Sequence, residues 1–505
     1  MAPTPIGTRM GAGLAAAAVS LGVTEVMAAF FSPAADARTA VGTSVINLTP
    51  GPVKEWAIQT FGTADKAFLT IMVVVVIGAI AAVAAIGERT RIPLGSIAIA
   101  TLGLLGALAV LAQPGAGPAD LIPTVIGAAC GIGAMRLLTR PASQPAPDGA
   151  DPARRRSLLT LGLLGAGALG GVAGTVLTRQ RRSVAGDRDA FSLPAATDPA
   201  PPIPPAVQPP ADGLTTFVTD NADFYRIDTA LSVPQISRTD WKLRIHGMVD
   251  TEITYTFEDL KQFDVVERAV TLACVSNPVG GNLISNAVWT GYRVRDLLAR
   301  TGIQSGADMV LSTSHDGFTA GTPVEALTDD RDALLAIGMN GVPLPVEHGY
   351  PARLVVPGLY GFVSATKWVV DLELTRFDRA EAYWTKLGWS ARAPIKTQSR
   401  IDVPRNGARV TAGWVTVGGV AWAQHRGIKA VEVRIDDGPW QPARLGASYS
   451  NDTWRLWTFD WKTTPGRHII TARAVDNTGA VQTEQPAPPA PDGATGWPTI
   501  SVEVS

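Results

Sequence analysis

The chain divides by its hydropathy pattern before any motif is considered. Its first third holds five apolar stretches, at about 11–31, 68–86, 93–112, 121–139 and 157–178. Each comes close to the roughly 20 residues that cross a hydrocarbon core of about 30 Å. The clearest reads FLTIMVVVVIGAIAAVAAI; the weakest is the first, which contains Glu25. They predict a five-helix transmembrane bundle over residues 1–180. Residues 181–212 then turn rich in proline and alanine, most densely in PAPPIPPAVQPPAD. That composition predicts an extended, stiff spacer holding the remainder off the bilayer.

From residue 213 the periodicity is mixed. WKLRIHG sets Trp241, Leu243 and Ile245 against Lys242, Arg244 and His246, as in a half-buried strand. Thr256 followed by Asp259 resembles a capping box opening a short helix at FEDLKQF. Val294, Leu297 and Leu298 fall at helical spacing, a second helix is expected from Pro323 to about Ile337, and VVDLELT alternates again from Val370. These elements predict an α+β domain over 213–395. Beyond it the pattern is only β. VEVRIDDGPW reads as a strand turning at Asp437-Gly438, and WVTVGGVAW and HIITARAVDNTG add short strands. An immunoglobulin-like β-sandwich is expected over 396–505, with Trp414, Trp422, Trp440, Trp454, Trp457 and Trp461 supplying much of its core.

Charge sharpens this picture without changing it. A net charge of -1 over 505 residues gives no argument for a nucleic-acid partner. A mean hydropathy of +0.16 with 17% charged residues fits a membrane part fused to a soluble part. With the N-terminus inside, the inner segments carry Arg9, then Arg89 and Arg91, then Arg136, Arg140, Arg154, Arg155 and Arg156. The segment 113–120 has no basic residue, and the long outer loop has only Arg38, Lys54 and Lys66. This asymmetry predicts a multi-pass protein of the cell membrane whose soluble part is extracytoplasmic. Arg179, Arg181, Arg182 and Arg188 follow the last stretch and run against that orientation. RRRSLLTLGLLGAG, from Arg154, resembles a twin-arginine export signal, although positive-inside arginines would look much the same. All five histidines lie after residue 213, so the bundle cannot supply a bis-histidine haem site alone. Gly167 with Gly171, and Gly170 with Gly174, are spaced for close helix packing.

Cys274 is the only thiol after the membrane stretches; the other cysteine, Cys130, lies within one of them. The soluble half therefore has no internal disulfide, and Cys274 is a core residue, a nucleophile or a soft-metal ligand. Its setting, TLACVSNPVGG, is a strand running into Ser276, Asn277, Pro278, Gly280 and Gly281. A small, polar, glycine-rich strand end suits delivery of a side chain to a ligand.

Several segments align in order: DFYRIDTALSVP, TLACVSNPVGG, AVWTGYRVRDLL, MNGVPLPVEHGYPARLVVPGLYGFVSATKW, and a β-rich end opening with KTQSRIDVP. Together they resemble the sulfite oxidase family of molybdopterin-dependent oxidoreductases, over essentially 215–505. The whole layout looks like a membrane-anchored branch of the actinobacterial type. The resemblance implies a molybdenum-molybdopterin cofactor, with Cys274 as catalytic thiolate ligand to the metal. It implies that His348 and Arg353 bind the pterin and its phosphate, and that Ser364, Thr366 and Lys367 form the loop closing over it. Tyr225, Arg226 and Ser314 match cofactor contacts more loosely. It also implies a sandwich that mediates a homodimer.

Departures from the family pattern bear on substrate. Members that oxidise sulfite carry arginines near the metal; here the stretch after the cysteine reads Asn277-Pro278-Val279-Gly280. Where an arginine-asparagine-histidine run is expected, the chain has Arg226-Ile227-Asp228-Thr229, and Trp389 stands near an expected tyrosine. Arg400 at the domain junction is expected to contribute one positive charge. A sulfoxide or N-oxide is therefore the expected substrate type, with a sulfite dehydrogenase as the alternative. No CxxCH and no dinucleotide fingerprint occur, so electrons are expected to pass to or from a separate partner, a quinone-linked protein or a cytochrome. Readings from other classes are a cysteine-nucleophile hydrolase and a non-catalytic, membrane-tethered binding protein.

Overall fold

The computed structural model describes residues 6–61, 65–89, 92–140 and 152–505, which form two compact units. The first is the bundle: α1 (Ile6–Ala28), α2 (Ala37–Leu48), α3 (Gly51–Phe61), α4 (Asp65–Ile86), α5 (Leu94–Leu111), α6 (Ile122–Thr139) and α7 (Pro152–Arg182). Five of these, α1, α4, α5, α6 and α7, are long and apolar enough to cross a membrane. The segment between the first two spans, read as a loop, contains α2 and α3. Asp36 starts α2 by accepting the Thr39 N–H at 3.0 Å, as a helix N-cap does.

Helix α1 packs along α7, α6 and α4. Small residues set the α1–α7 approach: a Cβ on Gly22 would sit 2.2 Å from the Gly167 carbonyl oxygen, and one on Gly174 2.5 Å from the backbone of Glu25. Of the four spaced glycines, Gly171 meets nothing within 4 Å. In lipid, such backbone contact replaces the hydrophobic drive that packs helices in water.

The second unit spans 184–229 and 234–505. After the short helix α8 (Ala185–Asp189) come β1 (Lys242–Gly247), β2 (Ile253–Thr256), β3 (Val265–Ala273), β4 (Ile284–Arg293), α9 (Val294–Ala299), β5 (Met309–Ser314), β6 (Thr319–Pro323), α10 (Val324–Thr328), β7 (Leu334–Met339), β8 (Val342–Pro343), β9 (Arg353–Val355) and β10 (Val369–Thr375). They build two sheets, in orders β2-β1-β10-β5-β6 and β3-β4-β7-β8, with β9 also on β7. The capping pair is present: the Thr256 N–H donates to Asp259 at 2.7 Å and the Asp259 N–H to the Thr256 hydroxyl at 3.3 Å. The expected helix from Pro323 to Ile337 is instead the one-turn α10 followed by β7. Every side chain of β7 is buried, so its apolar run has no alternation to mark it as a strand.

The sandwich follows: β11 (Gln398–Val403), β12 (Ala408–Val410), β13 (Trp414–Trp422), β14 (Ile428–Ile435), β15 (Gln441–Pro442), β16 (Arg444–Leu445), β17 (Arg455–Lys462), β18 (Gly466–Asp476) and β19 (Thr499–Val504). Its sheets run β11-β13-β17-β16 and β12-β19-β18-β14-β15. Trp457 and Trp461 lie in the core between them with Val417, Val431 and Ile470. The other tryptophans do different work. Trp454 donates its indole N–H to the Phe217 carbonyl in the α+β part, and Trp414 is 72% exposed.

The proline-rich segment is a strap rather than a free spacer. Val184 enters the core of the α+β part beside Val266 and Tyr350. The Thr197 N–H bonds the Val265 carbonyl, Tyr449 reaches the Pro201 carbonyl, and the Ala447 N–H bonds the Ala206 carbonyl. An extended proline-rich chain has the same local geometry free or docked, so composition alone does not separate the two.

Candidate active site

Strand β3 ends at Ala273 and delivers Cys274, 8% exposed and in no disulfide, to its C-terminal rim. The strand is held from both sides. Its edge pairs with β4 from Val265↔Tyr292 to Ala273↔Ile284, and the Thr271 hydroxyl accepts the Trp454 N–H of the sandwich at 2.8 Å. Beyond it the turn is self-bonded. The Cys274 N–H donates to Leu283, the Asn277 N–H donates to Cys274, and the buried Asn277 amide accepts the Leu283 N–H at 2.9 Å. The thiol thus sits on an element fixed on every side, as a metal ligand or a nucleophile requires.

Arg353 opens β9 and is 5% exposed. Its hydrogen bonds go to the carbonyls of His348, Leu354 and Ala365, at 3.1, 3.4 and 3.4 Å, and its guanidinium lies 5.0 Å over the Trp289 ring. Among the described residues no carboxylate pairs with it. Burial pushes its pKa down to about 10, and a buried cation without an anion is costly unless a ligand supplies one. His348, 4% exposed, sits beside it with Nε2 at 3.1 Å from the Asn221 carbonyl. That carbonyl only accepts, so Nε2 carries the proton. Burial, then Arg353 and Lys367, lower the His348 pKa to about 4, so the ring is neutral and Nδ1 offers a lone pair.

Lys367 contacts the Asp228 carboxylate at 2.8 Å, and burial lowers its pKa to about 8 against that pairing. Arg226 is turned outward onto the same Asp228 at 2.9 Å, with 37% of its side chain exposed. Ser364 and Thr366, both fully buried, use their hydroxyls on protein groups. Ser364 donates to the Tyr360 carbonyl at 3.0 Å, and Thr366 meets the Ser312 hydroxyl at 2.7 Å. They shape the loop, and only their backbones remain to meet a ligand. Trp368, next in the loop, is held at a φ of 50°, a strained setting for a bulky residue, and its indole N–H donates to Val346. Ser314, at the end of β5, has a buried hydroxyl that finds no hydrogen-bond partner among the described residues.

Two tyrosines lie near the thiol, with the Tyr360 hydroxyl accepting the Lys396 N–H at 3.5 Å. A Cβ on Gly361 would lie 3.7 Å from the Tyr225 hydroxyl and 3.8 Å from the Ala273 carbonyl, so that loop passes directly over the end of β3. Burial first, and the Cys274 charge next, raise the Tyr225 pKa. Burial pushes the Tyr360 pKa up to about 12, with Cys274 again contributing. Tyr360 was not singled out from sequence; its place in PGLYGF between two glycines was the available signal. Asp228 was also missed, because its partner lies 139 positions away. Arg400 reaches the Gly281 carbonyl at 3.4 Å but is ion-paired to the buried Asp402 carboxylate. Its charge is already answered within the protein.

The donor set is thus a fixed thiol, an unanswered buried guanidinium, an acceptor nitrogen on a neutral imidazole and an orphan hydroxyl. A thiolate suits a soft metal centre, and the guanidinium suits a phosphate. Comparison with known proteins agrees. A family profile described as "Oxidoreductase molybdopterin binding domain" matches residues 230–384, and one described as "Bacterial Ig domain" matches 398–472. The "Uncharacterized oxidoreductase YuiH" of Bacillus subtilis is 33% identical over 154 residues, 30% of this chain and 74% of that protein. The chain belongs to the molybdopterin-binding oxidoreductase family.

Within it, the chain is related to sulfite oxidases. It is 29% identical over 333 residues to "Sulfite oxidase, mitochondrial" of Homo sapiens, covering 56% of this chain and spanning 60% of that protein's length. Among solved structures, the "Sulfane Dehydrogenase SoxCD from Paracoccus pantotrophus" matches 53% of this chain and 75% of that one, at 26% identity and a TM-score of 0.48. The fold is as expected: apolar N-terminal helices, a central α+β molybdopterin-binding domain and an immunoglobulin-like sandwich. Nothing found bears on an actinobacterial branch, and the cysteine-nucleophile hydrolase gains no support from membership of this family.

Proposed function

We propose that this is a membrane-anchored, extracytoplasmic oxidoreductase that transfers an oxygen atom to or from a small neutral substrate such as a sulfoxide or N-oxide. The observation carrying the reading is a fixed Cys274 in the same domain as a buried Arg353 that no carboxylate among the described residues answers. In this reading Cys274 is the protein ligand to molybdenum. Arg353 holds the pterin phosphate, with the His348 Nδ1 and the Ser314 hydroxyl offering further bonds to the pterin. Lys367 adds a second positive charge, and Ser364 and Thr366 fix the loop whose backbone covers the site. The bound cofactor supplies the two-electron redox change and the exchangeable oxygen.

The protein's own residues handle position and protons. In the reducing direction the balance is X=O plus two electrons and two protons to X plus water. Tyr225, kept protonated by burial, would donate a hydrogen bond to an oxygen presented beside Cys274, while the Tyr360 hydroxyl lies against Lys396 and Gly493. Arg400 is paired with Asp402, so its charge is not free to hold a dianion. This favours a neutral substrate over sulfite. Electrons are exchanged with a separate carrier, a quinone-linked protein or a cytochrome. A homodimer through the sandwich belongs to the same reading on the family resemblance alone; the exposed Trp414 and Ile469 lie on its two different sheets.

The test is purified full-length protein assayed for molybdenum and pterin, then for dye-linked turnover of sulfoxides, N-oxides and sulfite. About one molybdenum per chain with turnover of a neutral oxide is expected. Turnover of sulfite alone would replace the substrate assignment, and absence of molybdenum after expression with cofactor biosynthesis would remove the reading.

A further inference from the structure

The last turn of α7 carries three arginines that the fold treats differently. Arg182 is half-buried, and its Nη2 donates to the carbonyls of Ala28, Phe31 and Ser32 at 2.7, 3.2 and 2.9 Å. These lie at and just beyond the end of α1, where a helix leaves carbonyls without partners, so this cation is structural. Arg181 is exposed, with its guanidinium 4.4 Å over the ring of the exposed Phe30. Arg179 is exposed too, and among the described residues no carboxylate pairs with either. The acids at this end of the bundle are engaged elsewhere. Glu25 is buried on Arg38 at 3.2 Å, Asp120 is buried on the Gly117 N–H, and Asp36 caps α2. Beneath Arg179, Leu169, Val172 and Val176 are 71%, 64% and 47% exposed, at a spacing that puts all four residues on one helix face. An apolar stripe thus ends in an unpaired cation.

We propose that the outer end of α7 binds an anionic phospholipid, with Arg179 on its phosphate and an acyl chain along Leu169, Val172 and Val176. The heights agree. Arg179 lies 23 positions after Arg156, about 35 Å along the axis at 1.5 Å per residue. With a hydrocarbon core of about 30 Å between them, both guanidiniums stand at the level of the lipid phosphates. The inner arginines are accounted for by insertion, which favours cations on that side. The outer ones run against the same bias, and a phosphate ligand gives them a role. Arg181, two positions on, turns to another side of the helix, so it adds positive potential rather than a second contact to the same lipid. Free phosphate has nothing to lay on the stripe, and a zwitterionic lipid offsets its phosphate with its own cation. The proposal is independent of the oxygen-atom transfer reading, since lipid binding is measured without turnover.

The test uses full-length protein in phosphatidylcholine vesicles with spin-labelled phosphatidylglycerol or spin-labelled phosphatidylcholine as the probe. The motionally restricted fraction of each label gives its relative affinity for the protein surface. Phosphatidylglycerol is expected to be preferred, and Arg179→Gln should cut that preference about fivefold, the worth of one arginine near a lipid surface. Arg181→Gln should cut it less, and Arg179→Lys should keep most of it. Because Arg179 is exposed and Arg179→Lys keeps the charge, retention in that variant separates a lost lipid contact from a lost fold. Salt at 1 M should weaken the preference by screening. Equal restriction of the two labels in native protein, or an unchanged preference in Arg179→Gln, would overturn the proposal. Release of the restricted phosphatidylglycerol by millimolar inorganic phosphate at constant ionic strength would also overturn it, because the site would then take a free anion.

Discussion

Two clusters of cations lie within the α+β domain, and they are built in opposite ways. In one, Arg268, Arg293 and Arg295 surround Asp332, with Asp198 of the strap reaching the first two. Every guanidinium there has a carboxylate in reach, and the pairs depress both aspartate pKa values. That cluster is a clamp: it fastens the strap to β3 and β4 and needs nothing from outside. In the other, Lys367 and Arg226 share the carboxylate of Asp228, while Arg353 bonds only carbonyls and meets no carboxylate among the described residues. The second cluster is the more buried and the less satisfied. The difference teaches how to tell structural charge from functional charge. A cation is structural where its anion is part of the fold, and awaits a ligand where only carbonyls surround it.

The largest effect is expected at the Cys274 thiol. Cys274→Ser should leave a folded protein with no measurable turnover, since a hydroxyl is a hard donor of nearly the same volume. Near-native turnover would remove Cys274 from the site. Next, the two clusters should separate under matched truncations. Arg353→Ala should weaken cofactor retention about ten- to hundredfold, the worth of a charged hydrogen bond of about 1.5–3 kcal/mol. Asp332→Ala should leave molybdenum content unchanged and cost about 1–3 kcal/mol of stability by denaturant melting. The reverse pattern would break the comparison.

Acidity gives a smaller effect whose sign is fixed. Lys367 in the cofactor-free protein titrates at about 8, below the ordinary lysine value, because burial penalises its charge. A bound phosphate would favour the charged form and raise that pKa. Binding above pH 8 therefore takes up a proton, and affinity for the pterin phosphate is full below about pH 8 and falls as pH rises through it. Lys367→Met should flatten that slope in a cofactor-retention assay; an unchanged slope would move the titration elsewhere. The smallest effect is expected at Ser314. Removing a hydroxyl that has no partner should change cofactor-free stability by less than about 0.5 kcal/mol. The same Ser314→Ala change should weaken cofactor retention a few-fold, and a large loss of stability instead would mean the hydroxyl is already satisfied.

What the sequence revealed followed from local pattern. The five spans, the alternation of β1 and β10, the Thr256–Asp259 cap and the turn after Cys274 each rest on residues close in the chain. What it hid was tertiary. The run LLAIGM is a strand only because both of its faces are covered. The strap is docked through contacts such as Tyr449 on Pro201, 248 positions apart. Ser364 and Thr366 have the right residue types for ligand contacts, yet their hydroxyls are turned into the protein. The Arg400–Asp402 pair, by contrast, is two positions apart and is legible in KTQSRIDVP. Residue type and spacing thus located the site, while the state of each charge within it depended on partners that pattern does not carry.

The central claim is that Cys274 ligates molybdenum held at the cluster around Arg353. Molybdenum K-edge absorption on native protein and on Cys274→Ser tests it most directly. The account predicts that the variant retains metal and pterin but shows one fewer sulfur around molybdenum than the native protein. An unchanged sulfur shell in the variant would contradict it.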